Sequence, residues 1–428
     1  PYWQPEPLSE ASRKERVIGA FRQHEEISLY VHLPYCESLC TYCGCNKHIT
    51  VNHGVEAPYV ETVLQEWKQY RSLLPGRPVL RELHLGGGTP TFFDAANLQR
   101  LVGAILEEVH LPADSEFGFE AHPGNTTREH LATLRPLGFS RVSIGVQDVD
   151  PEILEIINRQ QTLEEVRTVT GWARELGYRS VNFDLIFGLP LQTEAHIRRT
   201  IAEVSRLHPE RIAFYSYAHV PWIKPSQRAY SEADLPKGEE KRALYELGRA
   251  LLEEAGYLEI GMDHFALPHD SLARAMEFGT LHRNFMGYTP YYSRLSLGLG
   301  ASAISDSWDA FVQNEKHVDA YRARVERGEL PIARGHLLSE EDQVLRRHIL
   351  NIMCSLQTHW AKSEYQCAAL FEGLERMEEL ERDGLLRRTA YALEVTEKGR
   401  PFLRNICMAL DACYWRRQPE GRLFSQVV

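Results

Sequence analysis

The stretch Cys36-Glu-Ser-Leu-Cys40-Thr-Tyr-Cys43-Gly-Cys45 places four thiols within ten residues of the chain. The first three have the spacing C-x3-C-x2-C. Three thiolates can hold three corners of a cubane [4Fe–4S] cluster and leave the fourth iron without a protein ligand. Because an open metal position can bind a substrate or cofactor, this spacing predicts a reactive site. Cys45 follows Cys43 too closely to bind the same cube readily, so we expect a different role for it.

A structural zinc site and a chance cluster of thiols are the alternatives to an iron–sulfur cluster. Zinc knuckles usually need a second pair of ligands at some distance from the first pair. His48 and His53 could supply that pair. The spacing of the thiols therefore favours iron–sulfur but leaves zinc open.

Composition indicates a globular enzyme with more than one domain. The chain has 428 residues, of which 43% are hydrophobic and 25% are charged. Its net charge of -11 argues against general binding to nucleic acid or anionic membranes. No apolar run approaches the roughly 20 residues that a membrane-spanning helix needs.

The two ends of the chain bear on cellular location. The N-terminal Pro-Tyr-Trp-Gln-Pro has no signal-peptide pattern and no initiator Met, so we expect a missing or processed N-terminal piece. Four further cysteines are scattered late in the sequence, at Cys354, Cys367, Cys407 and Cys413. Clustered thiols without a disulfide framework predict a reducing cytoplasm.

Short β-prone runs alternate with helix-period segments along the first half of the chain. The predicted strands are Ser28–Leu33, Arg81–Leu85, Glu116–Glu120, Arg141–Val146, Ser180–Phe187 and Arg211–Tyr217. The intervening predicted helices include Pro58–Leu74, Ala95–Val109, Leu163–Leu176 and Thr193–Leu207. This alternation predicts an α/β fold with right-handed crossovers and a parallel sheet. Six units favour a partial (βα)6 barrel over a complete eight-unit barrel.

The pattern changes near Pro331. Helical stretches at Ser339–Cys354 and Tyr365–Asp383 precede a hairpin near Ala392–Thr396 and a helix after Gly399. Helices followed by a hairpin are typical of a small winged-helix-like domain, and the acidic charge favours a lid over a DNA-binding role. We therefore predict an N-terminal arm at 1–27, a catalytic barrel with its extension at 28–330 and a C-terminal lid domain at 331–428.

Polar and glycine motifs follow the predicted strands, where sites in such sheets form. Gly86-Gly87-Gly88-Thr89-Pro90 follows the second strand and would let the backbone approach a ligand closely. Further candidates at strand ends or just beyond them are Glu120, Gln147, Arg159, Asp184 and Ala218. Each has a structural alternative, such as a tight turn, a surface ion pair or a satisfied polar group. An acid inside an apolar strand, as at Asp184, is costly unless it is paired or functional.

Taken together, these motifs resemble the radical S-adenosylmethionine enzymes, and among them the oxygen-independent coproporphyrinogen III dehydrogenases (oxidases) of haem biosynthesis. The resemblance runs from about Tyr30 through the C-terminal domain. The cysteine spacing and Gly-Gly-Gly-Thr-Pro are typical of the superfamily. The narrower family is indicated by Cys-Gly-Cys-Asn-Lys at 43–47, Glu-Ile-Gly-Met-Asp-His-Phe-Ala-Leu-Pro at 259–268 and Leu-His-Arg-Asn-Phe-Met-Gly-Tyr-Thr at 281–289.

The resemblance implies a [4Fe–4S] cluster on Cys36, Cys40 and Cys43 and two bound S-adenosylmethionine molecules. The first molecule would coordinate the open iron and lie near Tyr30, Gly87, Glu120 and Ile304. The second would lie near Tyr42, Gly88, Thr89, Gln147, Arg159, Asp184 and Ala218. Members of the family usually have Phe where this chain has Tyr42, which keeps the aromatic face.

The resemblance also implies the reaction. A 5′-deoxyadenosyl radical made at the cluster would attack two propionates of coproporphyrinogen III, which become vinyl groups with loss of CO₂ and give protoporphyrinogen IX. Cys45 would act on the substrate radical or a proton, unless it is only a small packed residue. Candidates to bind the substrate carboxylates are Lys47, His48, Arg283 and Asn284.

The expected partners are this substrate, an electron donor for the cluster and an electron acceptor. We expect a cytoplasmic monomer that binds no nucleic acid and has no membrane span. A haem-binding chaperone of the same superfamily and a non-catalytic metal-binding protein are the alternatives. The chaperones typically lack the fourth cysteine, so Cys45 favours the enzyme.

Overall fold

The computed structural model describes residues 8–417. The expectation about the N-terminal Pro-Tyr-Trp-Gln-Pro therefore lies outside the described residues. The strands are β1 Glu26–Leu33, β2 Tyr35–Cys36, β3 His48–Ile49, β4 Val79–Gly87, β5 Glu116–Ala121, β6 Phe139–Gln147, β7 Ser180–Phe187, β8 Arg211–Ser216, β9 Leu258–Gly261, β10 His264–Ala266, β11 His282–Asn284, β12 Gly287–Thr289, β13 Leu295–Leu299, β14 Ile304–Asp306, β15 Ala310–Asn314, β16 Ile332–Leu337, β17 Gln357–His359, β18 Leu386–Arg388 and β19 Ala392–Val395. The α-helices are α1 Glu10–Gln23, α2 Glu56–Leu73, α3 Ala95–Leu106, α4 Arg128–Leu134, α5 Pro151–Ile156, α6 Leu163–Glu175, α7 Glu194–Arg206, α8 Gly238–Glu254, α9 Ser271–Glu277, α10 Val318–Glu326, α11 Glu340–Ser355, α12 Ala368–Arg376, α13 Glu378–Arg382, α14 Leu403–Ala409 and α15 Ala412–Arg416.

One large sheet organises the first three quarters of the chain. Its strand order is β16-β15-β14-β13-β1-β4-β5-β6-β7-β8-β10-β9. The six predicted strands are β1 and β4 to β8, which lie side by side and run parallel. The predicted α/β fold with a partial six-unit barrel is thereby confirmed.

The sheet extends beyond the six predicted strands on both sides. β13 pairs with β1 in parallel, with Leu29 opposite Leu297, and β14 to β16 continue the sheet in antiparallel order. At the other end, β10 pairs antiparallel with β8 and β9 pairs with β10. These additional strands have three to six residues, which is too short for hydrophobic periodicity to distinguish them from loops.

Amphipathic helices cover the outer face of the sheet. In α2 the buried positions include Tyr59, Val63, Trp67 and Tyr70, whose three- and four-residue spacing places them on one helix face. They join the core formed by the apolar strand residues. The same packing puts the remaining strand side chains on the inner face of the sheet, where the polar candidates lie.

A second hydrophobic core lies within residues 345–412. It is built from α11, α12 and α14 around a three-stranded sheet of order β17-β19-β18. The predicted helix Tyr365–Asp383 is instead two helices that meet at Met377, a fully buried residue of this core. β16 pairs with β15 in the large sheet, although the predicted boundary at residue 331 assigns it to the C-terminal domain. Among the helices described, none has the length and apolar character required to cross a membrane.

Candidate active site

The predicted site residues meet around a cavity at the carboxyl ends of the parallel strands. The cavity has a volume of about 740 Å³. Its predicted lining residues are Cys36, Cys40, Tyr42, Cys43, Cys45, Lys47, Gly87, Gly88, Thr89, Glu120 and Arg159. They come from the loops after β1, β4, β5 and β6, because parallel strands deliver their following loops to one rim.

The cysteine-bearing segment, residues 36–47, is called the cluster loop below. Its backbone is attached to neighbouring elements at several points. The Thr41 amide donates to the Ile157 carbonyl at 3.0 Å, and Asn158 Nδ2 donates to the Leu39 carbonyl at 2.7 Å. On the other side, His32 Nε2 lies 2.9 Å from the Asn46 carbonyl. These contacts hold the loop against α5 and the end of β1.

The thiols have the electrostatic surroundings that iron ligands need. A hydrogen bond from Cys45, helped by the nearby Lys47 ammonium and opposed by burial, lowers the pKa of the Cys43 thiol to about 5. Burial raises the pKa of Cys36 to about 11, although its sulfur lies 3.2 Å from the Thr89 hydroxyl. Arg159 Nη1 is 3.6 Å from Cys40 Sγ, so a cation stands beside the thiols. The donor set therefore fits a cluster held by thiolates.

The zinc alternative finds no support in the geometry. His53 Nδ1 is 2.6 Å from Glu56 Oε1, its Nε2 is 3.5 Å from Glu37 Oε1, and its ring stacks on Phe92 at 4.5 Å, so both ring nitrogens face carboxylates. His48 is exposed. Within residues 8–417, no three His, Cys, Asp or Glu side chains are arranged to hold one metal ion. Thiolates that bind different irons of a cube stand farther apart than ligands of a single ion, so this finding is compatible with a cluster.

The glycine motif brings main chain into the cavity where side chains would not fit. Gly87 has φ 121°, and a Cβ there would lie 2.8 Å from the His32 ring. A Cβ on Gly88 would lie 2.6 Å from the Pro34 carbonyl oxygen. Glycine is therefore required at both positions, and without a side chain the backbone can lie close to a ligand in the cavity.

Glu120 presents an ionised carboxylate at the end of β5. Its Oε2 accepts from the Gly87 amide at 3.1 Å, and its Oε1 lies 3.5 Å from His84 Nε2. Burial raises the pKa of Glu120, but the His84 and Gly87 hydrogen bonds outweigh burial and lower it below its ordinary value. Tyr30 stacks on His84 at 6.1 Å, which places it beside the carboxylate.

Arg159 and Gln147 share a strained corner at the end of β6. Gln147 has φ 65°, a conformation unfavourable for a residue with a side chain, and it lies at a register shift between β6 and β7. Arg159 Nη2 donates to the Gly145 carbonyl at 2.6 Å. A Cβ on Gly145 would lie 2.7 Å from Gln147 Nε2. The glycine thus leaves room for two polar side chains to face the same space.

Asp184 lies on the inner face of β7. Its carboxylate accepts from Ser143 Oγ and Asn182 Nδ2, both at 2.9 Å. Burial, followed by the charge of Glu120, raises its pKa to about 6. Ionisation of this carboxyl is therefore costly in the chain without ligands, and the carboxyl can accept a hydrogen bond from a cationic or hydroxyl-bearing ligand.

Five of the predicted residues do not line the cavity of the thiols: Tyr30, Gln147, Asp184, Ala218 and Ile304. Ala218 is exposed just beyond β8, and its carbonyl accepts from Gln227 Nε2 at 3.0 Å. Ile304 is close to Tyr30, because Gly298 pairs with Tyr30 in the sheet and packs against the Ile304 backbone. These positions surround the inner rim next to the cavity.

The candidates for substrate binding separate into two places. Lys47 lines the cavity of the thiols, and its ammonium donates to the Cys43 carbonyl at 3.1 Å. Arg283 and Asn284 instead lie in β11 and line a second cavity of about 550 Å³ against α11. His48 packs edge-on against Tyr35. The structure therefore does not bring the four together.

Several lining residues were not predicted. His122, Asn125, Gln160, Gln161, Thr162 and Glu165 also line the cavity of the thiols. Burial and the Arg159 charge lower the pKa of His122 to about 3, so this ring is neutral. The Thr162–Glu165 spacing has a sequence signal, since it forms the capping box of α6. The other residues have no local signal.

Comparison with known proteins agrees with this geometry. The Radical SAM superfamily matches residues 30–204. The oxygen-independent coproporphyrinogen III oxidase of Pseudomonas aeruginosa is 41% identical over 392 residues, covering 90% of this chain and 85% of the relative. The enzyme of the same name from Escherichia coli is 39% identical over 428 residues, covering 98% and 93%.

A solved structure shows the same architecture. The coproporphyrinogen III oxidase (HemN) of Escherichia coli, described as a radical SAM enzyme, matches with a TM-score of 0.90 and 36% identity. The match covers 95% of this chain and 94% of that chain. The haem-chaperone and non-catalytic alternatives receive no such match among these relatives. The chain therefore belongs to the oxygen-independent coproporphyrinogen III oxidases, radical SAM enzymes that use a [4Fe–4S] cluster and S-adenosylmethionine to oxidise coproporphyrinogen III.

Proposed function

We propose that this chain decarboxylates two propionates of coproporphyrinogen III at the cavity of the thiols, with the cluster on Cys36, Cys40 and Cys43. The observation that carries the assignment is the meeting of these thiols, the Gly87 backbone and the Glu120 carboxylate around one cavity. With S-adenosylmethionine, such a cluster supplies one-electron cleavage to a 5′-deoxyadenosyl radical, which abstracts hydrogen from a propionate. Loss of CO₂ and of one electron to a separate acceptor would then convert each propionate to a vinyl group, and the product is protoporphyrinogen IX.

The first S-adenosylmethionine is proposed to lie between the glycine motif and β5. Glu120 would accept hydrogen bonds from its hydroxyl or ammonium groups, since the low pKa of this carboxyl keeps it ionised. The Gly87 peptide would pack against it because no Cβ intervenes. Tyr30 and Ile304 would close the side of the site towards β13 and β14.

A second S-adenosylmethionine is proposed to lie beside the first. Its contacts would be Tyr42, Gly88, Thr89, Gln147, Arg159, Asp184 and Ala218. Arg159 is suited to a carboxylate and Asp184 to an ammonium or hydroxyl group, because their charges face the same inner rim. The missing Cβ at Gly145, which lets the Gln147 and Arg159 side chains share this corner, supports the placement.

Cys45 is proposed to act on the substrate. Cys45 is exposed, and its hydrogen bond to Cys43 raises the pKa of its thiol, so it keeps its proton. A protonated thiol next to the cluster can donate a proton or a hydrogen atom. As a non-ligand, it remains free to do so while the three other thiols are occupied.

Residues 331–428 are proposed to act as a lid, and residues 1–27 as an arm. The second core packs near β11, where α11 and the hairpin β11–β12 meet. We further propose a cytoplasmic monomer that binds no nucleic acid and exchanges electrons with a separate donor and acceptor. The reducing location is supported by the free thiols that the cluster requires.

The test is an anaerobic assay with coproporphyrinogen III and S-adenosylmethionine after reconstitution with iron and sulfide. We expect protoporphyrinogen IX, 5′-deoxyadenosine and CO₂. Replacing any of the three ligand cysteines by Ser should remove the iron, whereas Cys45→Ser should keep the iron and lose turnover. Cys413→Ser, far from the site, is the matched control. Iron retained in all three ligand variants would refute the assignment.

A further inference from the structure

The loop after β8 touches the cluster loop through two side chains. Lys224 Nζ lies 3.4 Å from the Cys45 carbonyl, at the surface. Gln227 Nε2 donates to the Tyr42 carbonyl at 3.1 Å, in the interior. Tyr42 immediately precedes the ligand Cys43, so the second contact holds the peptide next to a proposed iron ligand.

The Gln227 carboxamide is fully engaged. Its Nε2 donates to both the Tyr42 carbonyl and the Ala218 carbonyl, at 3.1 and 3.0 Å. Its Oε1 accepts from the Val220 amide at 2.6 Å. The side chain is only 1% exposed, so water cannot replace these bonds. Three backbone groups from two separate loops therefore depend on one side chain.

Glutamine is the side chain that this geometry requires. Two carbonyls need two N–H donors, and the Val220 amide needs an acceptor, which a carboxamide supplies together. An ionised glutamate would bring a negative charge against two carbonyl oxygens. Methionine has a similar length and no strong donor or acceptor. Asparagine is one methylene shorter.

We propose that Gln227 is a positioning residue that sets the separation between the Tyr42 peptide of the cluster loop and the Ala218 peptide after β8. The Tyr42 side chain packs against a small apolar cluster that includes Ile157 and Tyr217, so a shift of the Tyr42 peptide would disturb this packing as well. The inference rests on the proposed function, because Tyr42 and Ala218 are proposed contacts of the second S-adenosylmethionine. Gln227 itself acts only through these two peptides.

Gln192 offers a matched control. It is 5% exposed, and its Nε2 donates to Asp148 Oδ2 at 2.7 Å and to the Ile186 carbonyl at 3.0 Å. Its Oε1 accepts from the Gly188 amide at 2.7 Å. The same oxygen also accepts from the Leu189 amide at 3.3 Å. Gln192 thus matches Gln227 in size and burial and makes one bond more, but it makes no hydrogen bond to the cluster loop.

The first experiment compares hydrogen exchange in the cluster-free proteins Gln227→Met and Gln192→Met. Gln227→Met should accelerate exchange in residues 41–47 by roughly tenfold, as expected for loss of a buried hydrogen-bonded anchor. Gln192→Met should instead accelerate exchange in residues 186–192. Gln227→Glu keeps the shape and should behave like Gln227→Met, which guards against a packing defect specific to methionine.

The second experiment uses anaerobically reconstituted protein. Gln227→Met should weaken binding of the second S-adenosylmethionine by about tenfold and change the electron paramagnetic resonance signal of the reduced cluster with S-adenosylmethionine present. Gln192→Met should leave both unchanged. If the two variants match in exchange, affinity and spectrum, Gln227 is not a positioning residue. If wild-type protein binds only one S-adenosylmethionine, the second site is refuted, and the exchange comparison alone decides the role of Gln227.

Discussion

Replacing Asp184 by Asn should weaken binding of S-adenosylmethionine without weakening the fold. The side chain keeps its size, loses its charge and remains opposite Ser143 and Asn182. Burial and the charge of Glu120 raise the pKa of Asp184 to about 6, so ionisation of this carboxyl is costly in the unliganded protein.

The magnitude follows from the pKa. The ordinary value is 3.8, and a rise to about 6 corresponds to roughly 3 kcal/mol at about 1.4 kcal/mol per unit. In the Asp184→Asn variant an NH₂ group takes the place of the oxygen that accepts from Asn182 Nδ2, and the loss of this hydrogen bond costs about 1 kcal/mol. We therefore expect Asp184→Asn to stabilise the unliganded chain at pH 7.5 by about 1 to 2 kcal/mol.

The dependence on pH has a definite sign. Because folding raises the pKa of Asp184, its contribution to stability is fully present below pH 3.8 and is lost as pH rises through about 6. The Asn variant lacks this loss. The difference in unfolding free energy between variant and wild type should grow between pH 4 and 6 and stay level above.

The assay combines denaturant unfolding of the cluster-free proteins with calorimetric titration of S-adenosylmethionine on reconstituted protein. The variant should bind one molecule where wild type binds two. Glu116→Gln is the control, because the charges of Arg211 and Arg141 hold the pKa of Glu116 well below its ordinary value, so neutralising this carboxyl should cost stability. If Asp184→Asn unfolds more easily than wild type and still binds two molecules, the reasoning is wrong and the residue is structural.

Three further predictions concern the backbone, the cation and the lid. Gly87→Ala should cost about 1 to 3 kcal/mol of stability and abolish turnover, because Gly87 has a φ of 121° and the added Cβ would meet the His32 ring. Thermal melts and product assays measure the two effects, and an unchanged melting temperature with full activity would contradict the prediction. Arg159→Lys should reduce the affinity for S-adenosylmethionine, measured by calorimetry, about tenfold, because one ammonium group cannot reach both the Gly145 carbonyl and the Cys40 sulfur. If the variant binds S-adenosylmethionine as tightly as the wild type, Arg159 has only a surface role. Truncation after Leu338 should leave the large sheet folded, but the cluster of the truncated protein should lose its visible absorbance faster in air. An equal lifetime in air for the truncated and full-length proteins would refute the lid proposal.

The parts of the fold that could be predicted are those with a local pattern in the sequence. The six parallel strands are apolar runs bounded by helical segments, and the cysteine and glycine motifs follow the first two of them. The sequence does not predict β13, although Leu295–Leu299 is fully buried. An apolar run of five residues has the same pattern whether it forms a strand, a loop or the end of a helix. Only its pairing with β1 makes it part of the sheet.

Candidate site residues could also be predicted only where the sequence around them carries a local pattern. Glu120 and Asp184 could be selected as candidates because each is a charged residue in a mostly apolar strand. Gln227 could not, since its partner Tyr42 is 185 residues away and nothing nearby distinguishes this glutamine from a surface residue. Arg283 and Asn284 lie in a family motif but line a different cavity from the thiols, a separation that the sequence does not indicate.

The pairing of β1 with β13 bears on how the chain folds during synthesis. β1 ends at Leu33, but its neighbour on one side begins only at Leu295. At about 5 to 20 residues per second, a ribosome needs roughly 10 to 50 s to supply that neighbour. Throughout this time one edge of a central, apolar strand has no native partner, which is the condition under which nascent chains misassociate. The N-terminal half of the barrel must therefore wait for its last parallel strand, and protection of that edge by a chaperone would raise the yield of folded protein.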